Sequence, residues 1–184
     1  MKTKLETDRL TLVSLDSTDS EQFFDFLMRN KDFFKKWSAV YDDNYFSLWY
    51  HKACLESIEK ESIEGRYINF GVYLKENTNR IVGTVSFSNI ITGIFQSCFL
   101  GYRIDEQLTG KGLATEAIKY AIEYIFSQLK LHRIEANVMP ANIASMRVVE
   151  KLGFINEGLA KKYLKVNGKW EDHIHYVLLN KAIE

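Results

Sequence analysis

The 184-residue sequence holds one proline, Pro140, and two cysteines, Cys54 and Cys98. The cysteines lie far apart and outside any C-x-x-C spacing, which excludes a zinc ribbon or disulfide framework and leaves two reduced, partly buried thiols. Neither charge is in surplus: 24 Lys and Arg balance 24 Asp and Glu. That argues against a nucleic-acid partner, whose phosphates would have to be neutralised by excess cations. No stretch approaches the roughly 20 apolar residues that cross a bilayer, and the opening Met1 to Arg9 lacks a signal-peptide apolar core. A cytoplasmic protein with no membrane partner is expected. With no Pro/Gly-rich linker, internal repeat or low-complexity tract, residues 1–184 read as one domain.

What is present suits a folded enzyme-sized domain, 46% apolar and 26% charged. A strand is expected over Arg9 to Leu15. Thr18 and Glu21 have capping-box spacing for a helix burying Phe23, Phe24 and Leu27. A second helix, about Phe46 to Glu64, carries Trp49, Ala53 and Ile58. The period then becomes two: Phe70, Val72 and Leu74 alternate, then Ile81, Gly83, Val85 and Phe87, with a turn at Glu76–Asn79. A third strand, Ser97 to Ile104, follows a loop at Thr92-Gly93. From Leu113 to Leu129 apolar residues recur at helical spacing, with Glu116, Lys119 and Glu123 opposite. A strand Arg133 to Val138, a helix Asn142 to Leu152, and strands Ala160 to Val166 and Lys169 to Leu179 complete the chain. Asn167-Gly168 joins the last two as a hairpin. The order implies a mixed α+β fold around a mostly antiparallel sheet.

Gln107-Leu108-Thr109-Gly110-Lys111-Gly112 lies between a strand and the long helix. Its glycines allow positive φ and close backbone approach. The helix behind offers unpaired N–H groups and the positive end of its dipole, so a pyrophosphate would fit, with Lys111 adding charge. Glycines in such a place also serve as plain turn residues. Neither nucleotide fingerprint is met: Gly112 follows Gly110-Lys111 where a Walker A loop needs Ser or Thr, and Thr115 stands where a dinucleotide fold needs Gly.

Gln107-x-x-Gly110-x-Gly112 resembles the pyrophosphate-binding motif of the GNAT acetyltransferases. The run Leu131 to Phe154, then Glu157-Gly158, Asn167 to His173 and the opening Glu6-Thr7-Asp8-Arg9-Leu10, are similar to the RimJ/RimL branch. The resemblance spans nearly the whole chain and is densest over 99–178. It implies the GNAT acyl-CoA acyltransferase fold, with a sheet of about seven strands flanked by helices. The implied activity is acetyl transfer from acetyl-CoA, as cosubstrate and without a metal, to an amine by direct attack on the thioester. The acceptor is a protein N-terminus, foremost that of a ribosomal protein. A small-amine acetyltransferase or a non-catalytic acetyl-CoA sensor on the same scaffold are the alternatives. Monomer and homodimer are both compatible with it.

By the same resemblance, backbone groups of Tyr102, Arg103 and Ile104 hold the pantetheine beside a bulge. Gln107 to Gly112, with Ala114 and Thr115, hold the pyrophosphate, and Asn142 and Ser145 complete the cofactor site. Asn142 and Ser145 also suit simple helix capping. Met146, Arg147, Val148 and Val149 supply no tyrosine acid on this helix; similarity to the RimL kind implies that Ser145 protonates the departing thiolate, directly or through water. Glu135, Asp172 and His173 are the candidate bases. An α-amine, with a pKa of about 8, needs less help than a lysine near 10.4, which favours the N-terminal acceptor. His173 and His175 share a strand face but have no further ligands around them, so no metal site is expected. Trp37, Tyr41, Trp49 and Tyr50 are candidates for an acceptor groove.

Overall fold

The structure, a computed structural model, describes residues 2–183. Eight strands form one sheet: β1 (Lys4–Glu6), β2 (Leu10–Ser14), β3 (Ile68–Leu74), β4 (Asn77–Ile91), β5 (Ser97–Ile104), β6 (Arg133–Val138), β7 (Ile155–Val166) and β8 (Lys169–Leu179). Their spatial order is β1-β2-β3-β4-β5-β6-β8-β7, antiparallel throughout except where β5 meets β6. The strand beyond the expected seven is β1, three residues with charged Lys4 and Glu6 at its ends and no apolar alternation to reveal it.

Helices cover both faces, which is why the middle of β3 and the stretch Ile81–Val85 of β4 are buried without alternation. On one face, α1 (Ser20–Arg29), α2 (Lys31–Lys35) and α3 (Leu48–Ile63) pack Phe26, Leu27, Phe34 and Leu55 against Tyr73 and Ile81. On the other, α4 (Leu113–Tyr124) and α5 (Ile143–Lys151) close the larger core, with Ala117, Ile118 and Ala121 turned inward at helical spacing.

Several local expectations change. The capping box belongs to Asp16 and Asp19, not Thr18 and Glu21: Asp16 Oδ1 accepts from Thr18 N and Asp19 Oδ2 from Asp16 N, each at 2.9 Å. The chain therefore enters a 3-10 turn, Ser17–Asp19, before α1, and Phe26 rather than Phe24 is fully buried. In α3, His51 and Leu55 face inward while Ala53 is exposed and Trp49 is 62% exposed. The turn before β4 is Lys75-Glu76, because Leu74 already pairs with Asn77. The long helix ends in a π-turn, Ile125–Leu129, that keeps Ile125 buried and turns Leu129 outward. Strand β7 starts five residues earlier than expected. Register shifts between Asn156 and Gly158, and between Ala160 and Leu164, erase the alternation that would have shown it.

The feature that builds the site is a divergence. Strands β5 and β6 pair only at Ser97↔Arg133, Cys98↔Ile134 and Phe99↔Glu135, then separate. The backbone of Leu100–Ile104 on one side and Ala136–Val138 on the other is left facing an opening. The bulge implied beside this stretch of β5 is not there: pairing with β4 runs unbroken from Gly83↔Ile104 to Ser88↔Phe99. The irregularity lies farther along, between Ser88 and Ile91 of β4, where Asn89 takes a φ of 49°.

Candidate active site

Two cavities meet at this opening. One, of about 420 Å³, runs from the Gly-rich loop to α5 and is lined by Tyr102, Arg103, Ile104, Leu108, Thr109, Gly110, Gly112, Ala114, Thr115, Asn142 and Ser145 among others. The other, of about 480 Å³, lies under α1 and α3 against β4, β5, β6 and β8. Trp37, Tyr102, Arg103, Asn142 and Ser145 line both and form the neck between them.

The loop has the geometry of an anion cradle. Gly110 and Gly112 adopt φ of 74° and 76°, and Gly112 caps α4 without any side chain closing the first turn, so its N–H groups stay available. Gln107 and Lys111, both exposed, belong to the loop but do not line the cavity. Two basic residues one turn apart on α5, Arg147 and Lys151, do line it. Their i, i+4 spacing was legible in the sequence, yet nothing linked that face of α5 to the loop.

The loop is held from both ends. Asp105, 2% exposed, accepts from Arg29 Nε at 2.9 Å, Arg80 Nη2 at 3.3 Å and Gln107 N at 3.2 Å. Burial works against its charge, but Arg29, the Gln107 N–H and Arg80 together hold the carboxyl below the usual carboxylate range. At the far end Glu116 accepts from Thr7 Oγ1 at 2.6 Å, Arg9 N at 2.9 Å and Arg9 Nε at 2.7 Å, and Arg9 Nη1 donates to the Lys111 carbonyl at 3.1 Å. The opening Thr7-Asp8-Arg9 segment thus braces the loop from across the sheet. Replacing Gly112 with Val puts a β-branched residue at positive φ, a strain of about 1–2 kcal/mol, where the backbone must stay approachable. KM for acetyl-CoA in steady-state assays is expected to rise about tenfold or more, with near-native circular dichroism.

At the neck, Asn142 Oδ1 accepts from Ser145 N at 3.1 Å, so the capping role is real. It does not exclude the other, since both residues line the two cavities. Tyr102 donates its hydroxyl to the Ser145 carbonyl at 3.2 Å, fixing the first turn of α5; burial pushes its phenol up to about 12 and keeps it protonated. Of the candidate bases only His173 lines a cavity. Glu135 accepts from Arg133 Nε at 2.8 Å, and Arg133 also reaches Glu157 at 2.6 Å. Asp172 accepts from Lys162 N at 2.8 Å, tethering the irregular part of β7. His173 is 3% exposed, with Nδ1 3.1 Å from the Glu171 carbonyl. A carbonyl only accepts, so Nδ1 carries a proton, and the tautomer this contact selects has its lone pair on Nε2.

The aromatic wall is partly as expected. Trp37 and Tyr50 line the second cavity, joined by Tyr45 and Tyr67. Trp49 points to solvent, and Tyr41 stacks on Tyr45 at 3.5 Å, facing a neighbouring hollow instead. His51, unremarked in the sequence, is buried amid Phe23, Phe24, Tyr45 and Tyr50 and donates Nε2–H to the Tyr45 carbonyl at 2.7 Å. Burial is the main force lowering its pKa, so the ring is neutral. Cys98 is inert: burial, then the Glu135 charge, pushes its thiol up to about 12. Among the described residues no cluster of three or more His, Cys, Asp or Glu is placed to hold a metal, and no helix is long and apolar enough to cross a membrane.

A splayed parallel strand pair beside a glycine cradle at a helix N-terminus is the architecture of an acyl-CoA-dependent acyltransferase. The family described as Acetyltransferase (GNAT) domain matches residues 9–155. The chain belongs to the GNAT acetyltransferase family and is an N-acetyltransferase. It is 40% identical to YjcK of Bacillus subtilis (strain 168), described as a probable N-acetyltransferase, over 90% of this chain and 91% of that protein. It is 38% identical to the [ribosomal protein uS5]-alanine N-acetyltransferase of Escherichia coli (strain K12), over 94% and 89%. Among solved structures, the ribosomal-protein-S5-alanine acetyltransferase of Vibrio fischeri superposes with a TM-score of 0.93 at 32% identity, covering 99% of both chains. Mycobacterium smegmatis RimJ, solved with CoA-disulfide, does so with 0.89 at 25%, covering 99% of this chain and 88% of that one.

Proposed function

We propose that this enzyme moves the acetyl group of acetyl-CoA onto the N-terminal α-amine of a protein, with a ribosomal protein as the foremost target, in the cytoplasm. The observation that carries the reading is the neck: a groove suited to a phosphorylated, extended cosubstrate and a separate aromatic-walled cavity open onto the same residues. The relatives named for uS5 alanine acetylation match nearly end to end, which supports the acceptor class.

Acetyl-CoA supplies an activated thioester, and the protein's share is positioning and proton handling. The Gly110–Gly112 backbone, the first turn of α4 with Ala114 and Thr115, and Arg147 and Lys151 suit the phosphates. The side of Tyr102–Ile104 that faces β6, left unpaired where the two strands part, suits the amide-bearing arm, since a strand edge offers N–H and C=O groups in register. Ser145, which lines both cavities, gives a proton to the leaving sulfur in this reading, a thiol of pKa near 8.5 that needs modest help. His173, its tautomer set by the Glu171 carbonyl, takes a proton from the acceptor amine through Nε2. We prefer it to Glu135 as the base because Glu135 is ion-paired with Arg133 and lies outside both cavities.

The test is mass spectrometry of purified protein with acetyl-CoA and a panel of peptides with free N-termini, N-blocked peptides with internal lysine, and small amines. Acetylation of the free α-amine is the expected result. Acetylation confined to lysine or small amines would reject the N-terminal reading. Tight acetyl-CoA binding without CoA release on any amine would identify a sensor.

A further inference from the structure

A guanidinium partly withdrawn from solvent with no carboxylate beside it is suited to an anion that a ligand brings. Arg9, Arg29, Arg66, Arg80 and Arg133 each form an ion pair within the chain. Arg103 and Arg147 pair with no carboxylate among the described residues, and each borders a cavity. Arg147 lines only the cosubstrate groove, where phosphates account for it. Arg103 stands at the neck and lines the acceptor cavity as well, its guanidinium 5.6 Å from the Phe34 ring centroid. A cation over an aromatic face keeps its charge and its donors while its orientation is fixed.

The rest of the acceptor cavity sharpens this. Its lining includes no Asp, Glu or Lys, and its His51 is neutral. Arg103 is thus the one fixed charge of that wall among the described residues. A cavity for a polycation would need carboxylates, and one indifferent to charge would not hold a half-buried guanidinium with no counter-ion. An ammonium is disfavoured here and loses its proton more readily, which suits attack by a neutral amine. A carboxylate on the same acceptor finds the planar fork that binds it best.

We infer that Arg103 selects an acceptor whose reacting amine is accompanied by a nearby carboxylate: a protein N-terminus with Asp or Glu among its first few residues. The inference rests on the N-terminal reading for the carrier and on Arg103 alone for the carboxylate. The experiment compares peptides that begin with Ala and carry Glu, Gln or Lys at the second or third position, using wild type, Arg103→Gln and Arg103→Lys. A parallel arm uses free amino acids against their amides.

Wild type is expected to prefer Glu over Gln by about tenfold in kcat/KM, and Glu over Lys by more, the scale of one charge-assisted hydrogen bond. Arg103→Gln should bring the Glu/Gln ratio close to one, and Arg103→Lys should keep part of it. The ratio is internal to each variant, so impaired folding does not imitate the result. Equal rates on Glu and Gln peptides with wild type would overturn the assignment. So would a preference that survives Arg103→Gln while KM for acetyl-CoA rises, which would place the guanidinium on the cosubstrate. If no peptide reacts but amino acids outrun their amides in an Arg103-dependent way, the carboxylate assignment stands and the N-terminal reading falls. If amides do as well as acids, the assignment fails.

Discussion

With His173 replaced by Gln, kcat on an α-amine acceptor is expected to fall by about 10²-fold, the lower end of what a positioned general base contributes. KM for acetyl-CoA should stay near the wild-type value, because His173 lines the acceptor cavity and not the groove that takes the phosphates. The ring is buried and donates Nδ1–H to the Glu171 carbonyl, so Gln fills similar space and still offers a donor. What it loses is the basic Nε2. The readout that separates chemistry from shape is pH. As pH rises from about 7 to about 9, through the α-amine's own ionisation near 8, the acceptor deprotonates unaided and the variant's deficit should shrink. A deficit constant over that range, with a raised KM for the acceptor, would mean that His173 only shapes the wall. Glu135→Gln should leave the acceptor kinetics unchanged, since that carboxylate is held by Arg133 at 2.8 Å outside both cavities.

That contrast shows what sequence could and could not reveal. Motifs that work through backbone geometry were readable: positive φ at Gly110 and Gly112 follows from what glycine adopts at least cost, and an open helix N-terminus follows from the apolar period that begins at Leu113. So was the order of the main strands, because alternation is local. The choice among Glu135, Asp172 and His173 was not, because it depends on which strands diverge. Residue parity puts Glu135 and Asn137 on the same face of β6, yet β6 is still paired with β5 at Glu135 and free of it at Asn137, and only Asn137 lines the cavity. His51 escaped notice for a related reason: its helix is laced with charges, and its burial is imposed by Phe23, Phe24 and Tyr45 arriving from other segments. The brace of Thr7 and Arg9 on Glu116 joins residues more than a hundred positions apart. The sequence marks that opening segment as a motif without saying what it grips.

The largest stability change is expected from Asp105→Asn. The side chain is 3% exposed and meets two guanidiniums and a loop N–H, and an amide keeps one oxygen acceptor but no charge. Removing one partner of a buried ion pair costs about 3–5 kcal/mol when the other charge is stranded. Arg29 is not wholly stranded, since Asp25 and the Ile81 carbonyl also take its donors, so about 2–3 kcal/mol is the better figure. For a chain of this length that corresponds to a fall in Tm of about 5–10 °C by calorimetry. The pH dependence carries the same information. Because the folded carboxyl titrates below its unfolded value near 3.9, its contribution is complete above that value and disappears as pH falls through the folded pKa. Wild type should therefore lose its advantage over Asp105→Asn only in strong acid, and the two denaturation curves should converge there. An unchanged Tm at neutral pH would show that Asp25 alone satisfies Arg29. In that case Asp105 serves the loop through its bond to Gln107 N, and the loss would appear as weaker acetyl-CoA binding instead.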